Sequence, residues 1–192
     1  HTRTGRRNRG YRMKNKNAGF SLIELVVVIA VIAILGGIGL SWISHMSGYR
    51  ARECAGKIAS SLNGSKVKSL SKQQNTGDAY WELKVGSDGK YYATAYYPKY
   101  SGGSIASYEE DTAKVSRTSS VKVTYTDDSG QHNVDASNPL YLCYDRSIGA
   151  LYVGKRGSVD KTANISAITV SQGSRSYKIE LVAKTGKVIG RY

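Results

Sequence analysis

A long apolar run near the start of the chain dominates its pattern of hydrophobic and polar positions. The run extends from Leu25 to Ile43, and no Lys or Arg lies between Phe20 and Trp42. About 20 apolar residues suffice for a helix to cross a bilayer, whereas the apolar centre of a secretory signal peptide has only about 7 to 15. The pattern therefore predicts a membrane-spanning helix over residues 20–43, with Trp42 at the membrane interface.

After the run, the apolar residues return every three or four positions, which is typical of a helix with one buried face. The positions are Ala51, Cys54, Ala55, Ile58, Leu62 and Leu70. We therefore predict an amphipathic helix over residues 44–76. It should end within Gln73–Gly77, since Asn75 and Gly77 favour termination.

Residues 77–192 contain short β-type segments separated by Gly, Asp and Asn, which favours an antiparallel β-sheet head. The predicted strands are Tyr80–Val85, Lys90–Tyr97, Val121–Thr126, Leu140–Tyr144, Ala150–Val153, Ile165–Val170, Tyr177–Ala183 and Lys187–Arg191. The stretch Tyr97–Ser116 is mixed and polar around Gly102 and Gly103, and we interpret it as an excursion. The predicted fold class is α+β, with one long N-terminal helix packed on the sheet.

A single acid, Glu24, stands at the start of the apolar run. A carboxylate in hydrocarbon costs at least about 2.5 to 3.5 kcal/mol, so a membrane helix retains one where a cation neutralises it. The nearest available cation is an α-amino group made by cutting the chain before Phe20. Ser21 and Glu24 also have the spacing of a capping box, in which both side chains bond open N–H groups of a helix start. The two interpretations are compatible.

The order of basic leader, glycine, aromatic residue, acid and apolar run resembles the start of type IV prepilins and type II secretion pseudopilins. It covers roughly Met13 to Leu40. The resemblance implies that a prepilin peptidase cuts between Gly19 and Phe20 and methylates the new N-terminal Phe20. It also implies that Glu24 forms an assembly charge pair with the Phe20 ammonium of a neighbouring subunit.

The resemblance further implies a pilin-like fold and a structural role in a type IV pilus or a secretion pseudopilus, without a cofactor. The implied partners are other pilin or pseudopilin subunits, the prepilin peptidase, and a membrane platform with a separate cytoplasmic ATPase. The closing segment Tyr177–Gly190 weakly resembles that of H-type minor pseudopilins. This likeness favours a minor subunit.

Positive charge is concentrated ahead of the apolar run. The proposed leader, residues 1–19, holds seven Lys and Arg and no acid, so +7 of the formal charge of +14 remains after the cut. Dense Lys and Arg before a span keep that end in the cytoplasm, which places the head outside the cell membrane. Residues 1–12 are interpreted either as an upstream misreading before Met13 or as a longer leader. An uncleaved single-pass anchor is the alternative to processing.

Small residues recur every four positions within the run, at Ala33, Gly37 and Ser41. Such stripes let membrane helices approach closely, so they are the predicted helix-packing residues. Many pilins carry a proline where this chain has Ser41. The glycines around Gly37 weaken a helix, and we expect partial melting there.

Two cysteines, Cys54 and Cys143, have two interpretations: a disulfide between helix and sheet, or small buried apolar residues. No ligand spacing suggests a metal. The acidic clusters at Asp127–Asp128 and Glu109–Asp111 are interpreted as solvated turns. Since no nucleophile motif accompanies the three histidines, we predict that the chain is not an enzyme.

DNA uptake by a competence-type minor pilin is the alternative function. Fifteen tyrosines and the charge of the mature chain offer stacking and phosphate contacts. The densest group is Tyr91, Tyr92, Tyr96, Tyr97 and Tyr100. Neighbouring strand residues point to opposite faces, so these side chains are not expected to form a single platform.

Overall fold

A computed structural model of the chain describes residues 21–71, 78–155 and 161–191, and for residues 37–47 and 191 it describes the backbone alone. The described fold is α+β, with one helix and ten strands in two antiparallel sheets. The elements are α1 (Leu22–Ser71), β1 (Tyr80–Val85), β2 (Tyr91–Ser101), β3 (Ser104–Lys114), β4 (Lys122–Asp127), β5 (Gly130–Asn133), β6 (Leu140–Tyr144), β7 (Leu151–Val153), β8 (Ile165–Gln172), β9 (Arg175–Val182) and β10 (Lys187–Arg191).

The chain divides into two compact units, His1–Ser41 and Trp42–Tyr192. The described part of the first unit is helical from Leu22 onward, and the second unit holds the rest of α1 and both sheets. The backbone is helical through Gly36 and Gly37. Partial melting at the glycines is therefore wrong for this structure, because a glycine costs a helix about 1 kcal/mol without removing a backbone hydrogen bond.

Each sheet has five strands. Sheet A has the order β3-β2-β1-β6-β7, and sheet B has the order β10-β9-β8-β4-β5. The sequence predicted a head with a single antiparallel sheet, and the second sheet corrects that expectation. Period-two patterns define strands, but they do not say which strands become neighbours.

One core forms where the second half of α1 meets the inner faces of both sheets. From α1 it takes Ala51, Cys54, Ala55, Ile58, Ala59 and Leu62, which confirms most of the predicted stripe. Trp81 and Leu142 contribute from sheet A, and Ile168 and Ile179 from sheet B. Leu70 is 37% exposed, which contradicts its predicted place in the stripe. The small buried side chains of Ser65 and Ser69 continue the stripe instead.

Polar bonds fix α1 against the sheets at several points. The Trp81 indole donates to Ser61 at 3.0 Å, and the Tyr144 hydroxyl donates to the Leu62 carbonyl at 2.9 Å. Nearer the end of the helix, Lys66 donates to the Thr185 carbonyl at 2.7 Å. Since these bonds reach sheet A and the β9–β10 turn of sheet B, the second half of α1 has one defined position in the head.

Tyrosines cover the outer face of sheet A. Tyr80 and Tyr96 stack at 4.5 Å between ring centroids, and Tyr108 and Tyr141 meet Tyr80 edge-on. The cluster also holds Cys143 and Tyr152, both buried. Rings at alternate strand positions therefore shield this face from water.

The segment Tyr97–Ser116 forms most of a long hairpin, which corrects its interpretation as an excursion. Strand β2 runs on to Ser101, and Ser101 pairs with Ser104 across a two-residue loop. Gly102 and Gly103 have φ values of 61° and 85°, as a tight hairpin of the primed type requires. Strand β3 was missed because it is an edge strand whose side chains are mostly exposed, so its sequence has no apolar alternation.

The cysteines are free thiols, so the disulfide alternative is not present in this structure. Cys54 lies in the core between helix and sheets, whereas Cys143 lies among the tyrosines on the outer face of sheet A. Successive strand residues point to opposite faces, and this alternation directs Cys143 away from the helix. Burial raises the pKa of both thiols to about 12.

Replacing Ile58 by alanine should lower the free energy of unfolding by about 2 to 5 kcal/mol, because it opens a cavity in the core. Ile58 is fully buried, whereas Val67, on the same helix, is 68% exposed. Val67→Ala is the matched control and should change stability by less than about 0.5 kcal/mol. Denaturant unfolding of the detergent-solubilised chain measures both variants. Equal losses would contradict the described face of α1.

Candidate functional site

A serine cap marks the start of α1. The Ser21 hydroxyl accepts a hydrogen bond from the backbone N–H of Glu24 at 3.2 Å, and the Ser21 carbonyl accepts one from the N–H of Leu25 at 3.2 Å. The serine half of the predicted capping box is therefore confirmed. Glu24 lies in the first turn, where the helix dipole favours a negative charge.

The side chains that follow Ser21 form an exposed apolar surface. Every residue from Leu22 to Gly36 is exposed. Among its large apolar side chains, the exposed fraction ranges from 47% at Val31 to 82% at Leu22. An apolar surface of this kind is rarely left in water and marks an interaction with membrane or protein. The helix thus presents apolar groups in every direction over this stretch.

Glu24 is the one charged residue of this described stretch, Ser21–Gly36. Within the described residues it forms no ion pair. A carboxylate among apolar side chains gains from a cation that arrives with another molecule. The arrangement offers one exposed carboxylate, which can accept a positive charge.

Several predicted site residues cannot be placed. Gly19 and Phe20, which carry the cleavage, methylation and charge-pair predictions, lie outside the described residues, as does the whole leader. Of the small-residue stripe, Ala33 is exposed, while the side chains of Gly37 and Ser41 are not described. Within the described residues, no helix has a stretch long and apolar enough to cross a membrane.

Residues 14–40 match the family model described as the prokaryotic N-terminal methylation motif. The chain carries the prepilin signature. The match contains both Glu24 and the exposed apolar surface, and it supports a structural, pilin-like or pseudopilin-like role. No curated protein and no solved structure matches the chain. The signature ends at residue 40, so the match does not include the head.

Asp127, Ser129 and His132 form a polar cluster in the hairpin between β4 and β5. The Ser129 hydroxyl lies 2.9 Å from Nε2 of His132, and the same nitrogen lies 3.1 Å from Oδ1 of Asp127. In a catalytic triad the nucleophile and the carboxylate contact different ring nitrogens, so that the acid orients the base. Here both contact one nitrogen, and this geometry does not prepare His132 as a general base.

The two acids of this hairpin, Asp127 and Asp128, are held by hydrogen bonds. Desolvation acts to raise the pKa of Asp127, but hydrogen bonds from Ser129 and His132 outweigh it and hold that pKa below its ordinary value. Asp128 accepts two bonds from Asn164, at 2.9 and 2.8 Å. The sequence predicted solvated acids in this turn, whereas in the structure both acids accept hydrogen bonds. Among the described residues there is no group of three His, Cys, Asp or Glu suited to a metal ion.

The tyrosines considered for DNA stacking are largely enclosed. Tyr91 and Tyr97 point into the core, and Tyr96 is 5% exposed under the outer tyrosine cluster. Tyr91 donates to the Val134 carbonyl and accepts from the Val123 N–H, at 3.0 and 3.1 Å. The Lys68 ammonium lies over the Tyr97 ring, 4.2 Å from the ring centroid. These rings do not form a platform for bases.

Tyr97 and Tyr152 should ionise only at high pH. Burial raises the pKa of both to about 12 from an ordinary value of 10.0. Since the unfolded chain releases these protons first, the free energy of unfolding should be unaffected below about pH 10 and should fall as the pH rises towards 12. Phenolate absorbance and unfolding, measured together on the full chain, check this.

Tyr97→Phe is the control for this titration, because it should remove one late-ionising group and weaken the loss of stability at high pH. If all fifteen tyrosines ionised near pH 10 in a chain that stayed folded, the described burial would be contradicted.

Proposed function

We propose that the chain is a membrane-inserted prepilin-like subunit that is cut after Gly19 and assembles into a type IV pilus or a secretion pseudopilus. The observation that carries this proposal is the capped start of α1, with one acid followed by exposed apolar side chains from Leu25 to Gly36. The match to the N-terminal methylation motif at residues 14–40 supports it. The head is displayed outside the membrane.

Charge pairing explains how such subunits would join in a fixed way. Two opposite charges attract far more strongly in an apolar medium than in water, and a buried charge without a partner is costly. Each processed chain has one acid, Glu24, and one ammonium, at Phe20, in this region. A neighbouring chain is therefore held at the offset that joins the two groups, while the apolar side chains supply contact area along the helices.

The remaining parts of this proposal follow from the family likeness. The basic leader keeps the N-terminus in the cytoplasm before cleavage, and the predicted span, residues 20–43, anchors the chain in a single pass. A membrane platform with a separate ATPase supplies the energy of assembly. The minor-subunit expectation and the DNA-uptake alternative stay predictions, and the enclosed tyrosines do not favour the latter.

The mature protein should begin at Phe20 and carry a methyl group on its amino nitrogen. Intact-mass and N-terminal peptide analysis of the chain, isolated from cells that contain prepilin peptidase, measures this. Cells that lack the peptidase provide the control and should yield the unprocessed chain. A native protein that retains residues Lys14–Gly19 would contradict the proposal.

Glu24→Gln should leave membrane insertion intact but reduce incorporation into filaments at least about tenfold. Glutamine keeps the shape and the capping geometry of glutamate but removes the charge, and a broken buried pair costs about 3 to 5 kcal/mol. Quantifying the chain in sheared filaments and in membranes measures the effect.

Ser21→Ala separates charge from capping. It removes the cap, worth about 1 kcal/mol, but keeps the Glu24 carboxylate, so incorporation should stay closer to that of the unaltered chain. If Ser21→Ala impaired incorporation as strongly as Glu24→Gln, the role of Glu24 would be local to its own helix and the charge pairing would be wrong.

A further inference from the structure

The described sheets have four edge strands, and these differ in charge. Sheet A ends at β3 and β7, and sheet B ends at β10 and β5. Strand β7 has three residues and is bridged to Ala163, while β5 has four residues and no Lys, Arg, Asp or Glu. The two remaining edges, β3 and β10, carry opposite charge.

Strand β3 is a long acidic edge. It has eleven residues and contains the consecutive acids Glu109, Glu110 and Asp111. Glu109 pairs with Lys68 at 2.8 Å. Glu110 and Asp111 are exposed and form no ion pair or side-chain hydrogen bond within the described residues.

Strand β10 is a basic edge. Lys187 begins the strand, and Lys184 lies in the turn before it. Both are exposed, and neither forms an ion pair or a side-chain hydrogen bond in the described part of the chain. Lys184 also borders a cavity of about 540 Å³ with Ile148 and Ala183, and Ile148 is 67% exposed.

We propose that β3 of one copy of this chain pairs with β10 of a second copy, adding a strand from one head to a sheet of the next. Edge strands have open backbone N–H and C=O groups that accept another strand. Facing charges decide which pairing forms: two acidic edges repel each other, whereas Glu110 and Asp111 attract Lys184 and Lys187. Exposed apolar groups near each edge, Ile105 and Ile148, add contact area.

The pairing is directional, because the two edges lie on different sheets of the same head. A contact between two different patches of one molecule leaves a free patch on each partner, so it propagates from copy to copy. The inference rests on the proposed function, since assembly through α1 brings copies of the head together. It adds the prediction that copies of this chain occupy neighbouring positions, which a lone minor subunit does not require.

Zero-length carbodiimide cross-linking of the full chain, in membranes and in filaments, tests the pairing. The reagent joins a carboxylate to an amine only where the two are in contact. The unaltered chain should give a covalent dimer whose peptides link Glu110 or Asp111 to Lys184 or Lys187. A dimer without such peptides, or links from these acids to a different protein, would overturn the proposal.

Charge reversal provides the decisive comparison. One variant carries Glu110→Lys and Asp111→Lys, and the other carries Lys184→Glu and Lys187→Glu. Each alone has two like-charged edges and lacks either the acids or the amines that the reagent joins, so it should give no β3–β10 link and sets the baseline. Co-expressed, the two should form dimers again, with the new lysines of one joined to the new glutamates of the other.

The matched control for the second variant is Lys122→Glu with Lys155→Glu, which changes the net charge equally at two exposed lysines outside β10 and the turn before it. Expressed alone, this control keeps both edges and should give the β3–β10 link at about the yield of the unaltered chain, because the attraction between Glu110 or Asp111 and Lys184 or Lys187 is retained. A loss of the link in this control would show that net charge, and not the edges, governs the contact.

The result also separates this inference from the proposed function. A chain that begins at Phe20 and enters filaments, but lacks the β3–β10 link, refutes the strand pairing and leaves assembly through α1 intact. A chain that forms the link in membranes but keeps its leader refutes the proposed function and leaves the pairing intact.

Discussion

Burial of one face of α1 is the constraint on which the head depends. The same helix has two different surroundings: from Leu22 to Gly36 its side chains are exposed and apolar, whereas from Ala51 to Leu62 one face is enclosed by two sheets. Hydrophobic burial is proportional to area and has no preferred direction, so on its own it would permit the helix to slide. The bonds from Trp81, Tyr144 and Lys66 select one position.

The two parts of α1 differ in the size and distribution of their apolar side chains. Small side chains, such as Ala51, Ala55 and Ala59, allow the sheets to approach the second half closely, and the larger Ile58 and Leu62 fill the core between them. From Leu22 to Gly36 the helix instead carries mostly large β-branched and aliphatic groups, exposed on all sides. This stretch has no preferred apolar face, and Glu24 is its single charge.

Much of this architecture could be predicted from the sequence. The capped helix start, the stripe from Ala51 to Leu62 and eight of the ten strands follow from periodicity and turn residues. The exceptions have physical causes. Strands β3 and β5 are edges open to solvent, so no buried face imposes alternation on them. Leu70 is one position past Ser69, and the buried face of α1 continues from Leu62 through Ser65 and Ser69. The partition into two sheets depends on long-range pairing, which a local pattern does not encode.

The capped start of α1 could be predicted from the sequence because its signal is local. Ser21, Glu24 and the apolar run adjoin one another in sequence, so spacing alone brings them together. The surface charges are different: Glu110 and Lys187 belong to different sheets, and their meaning depends on which strands end each sheet. The head therefore has one acidic and one basic edge, a charge polarity that the positive net charge of the chain does not reveal. If copies of the head pair through β3 and β10, this polarity gives the heads one order, because each basic edge accepts the acidic edge of the next copy.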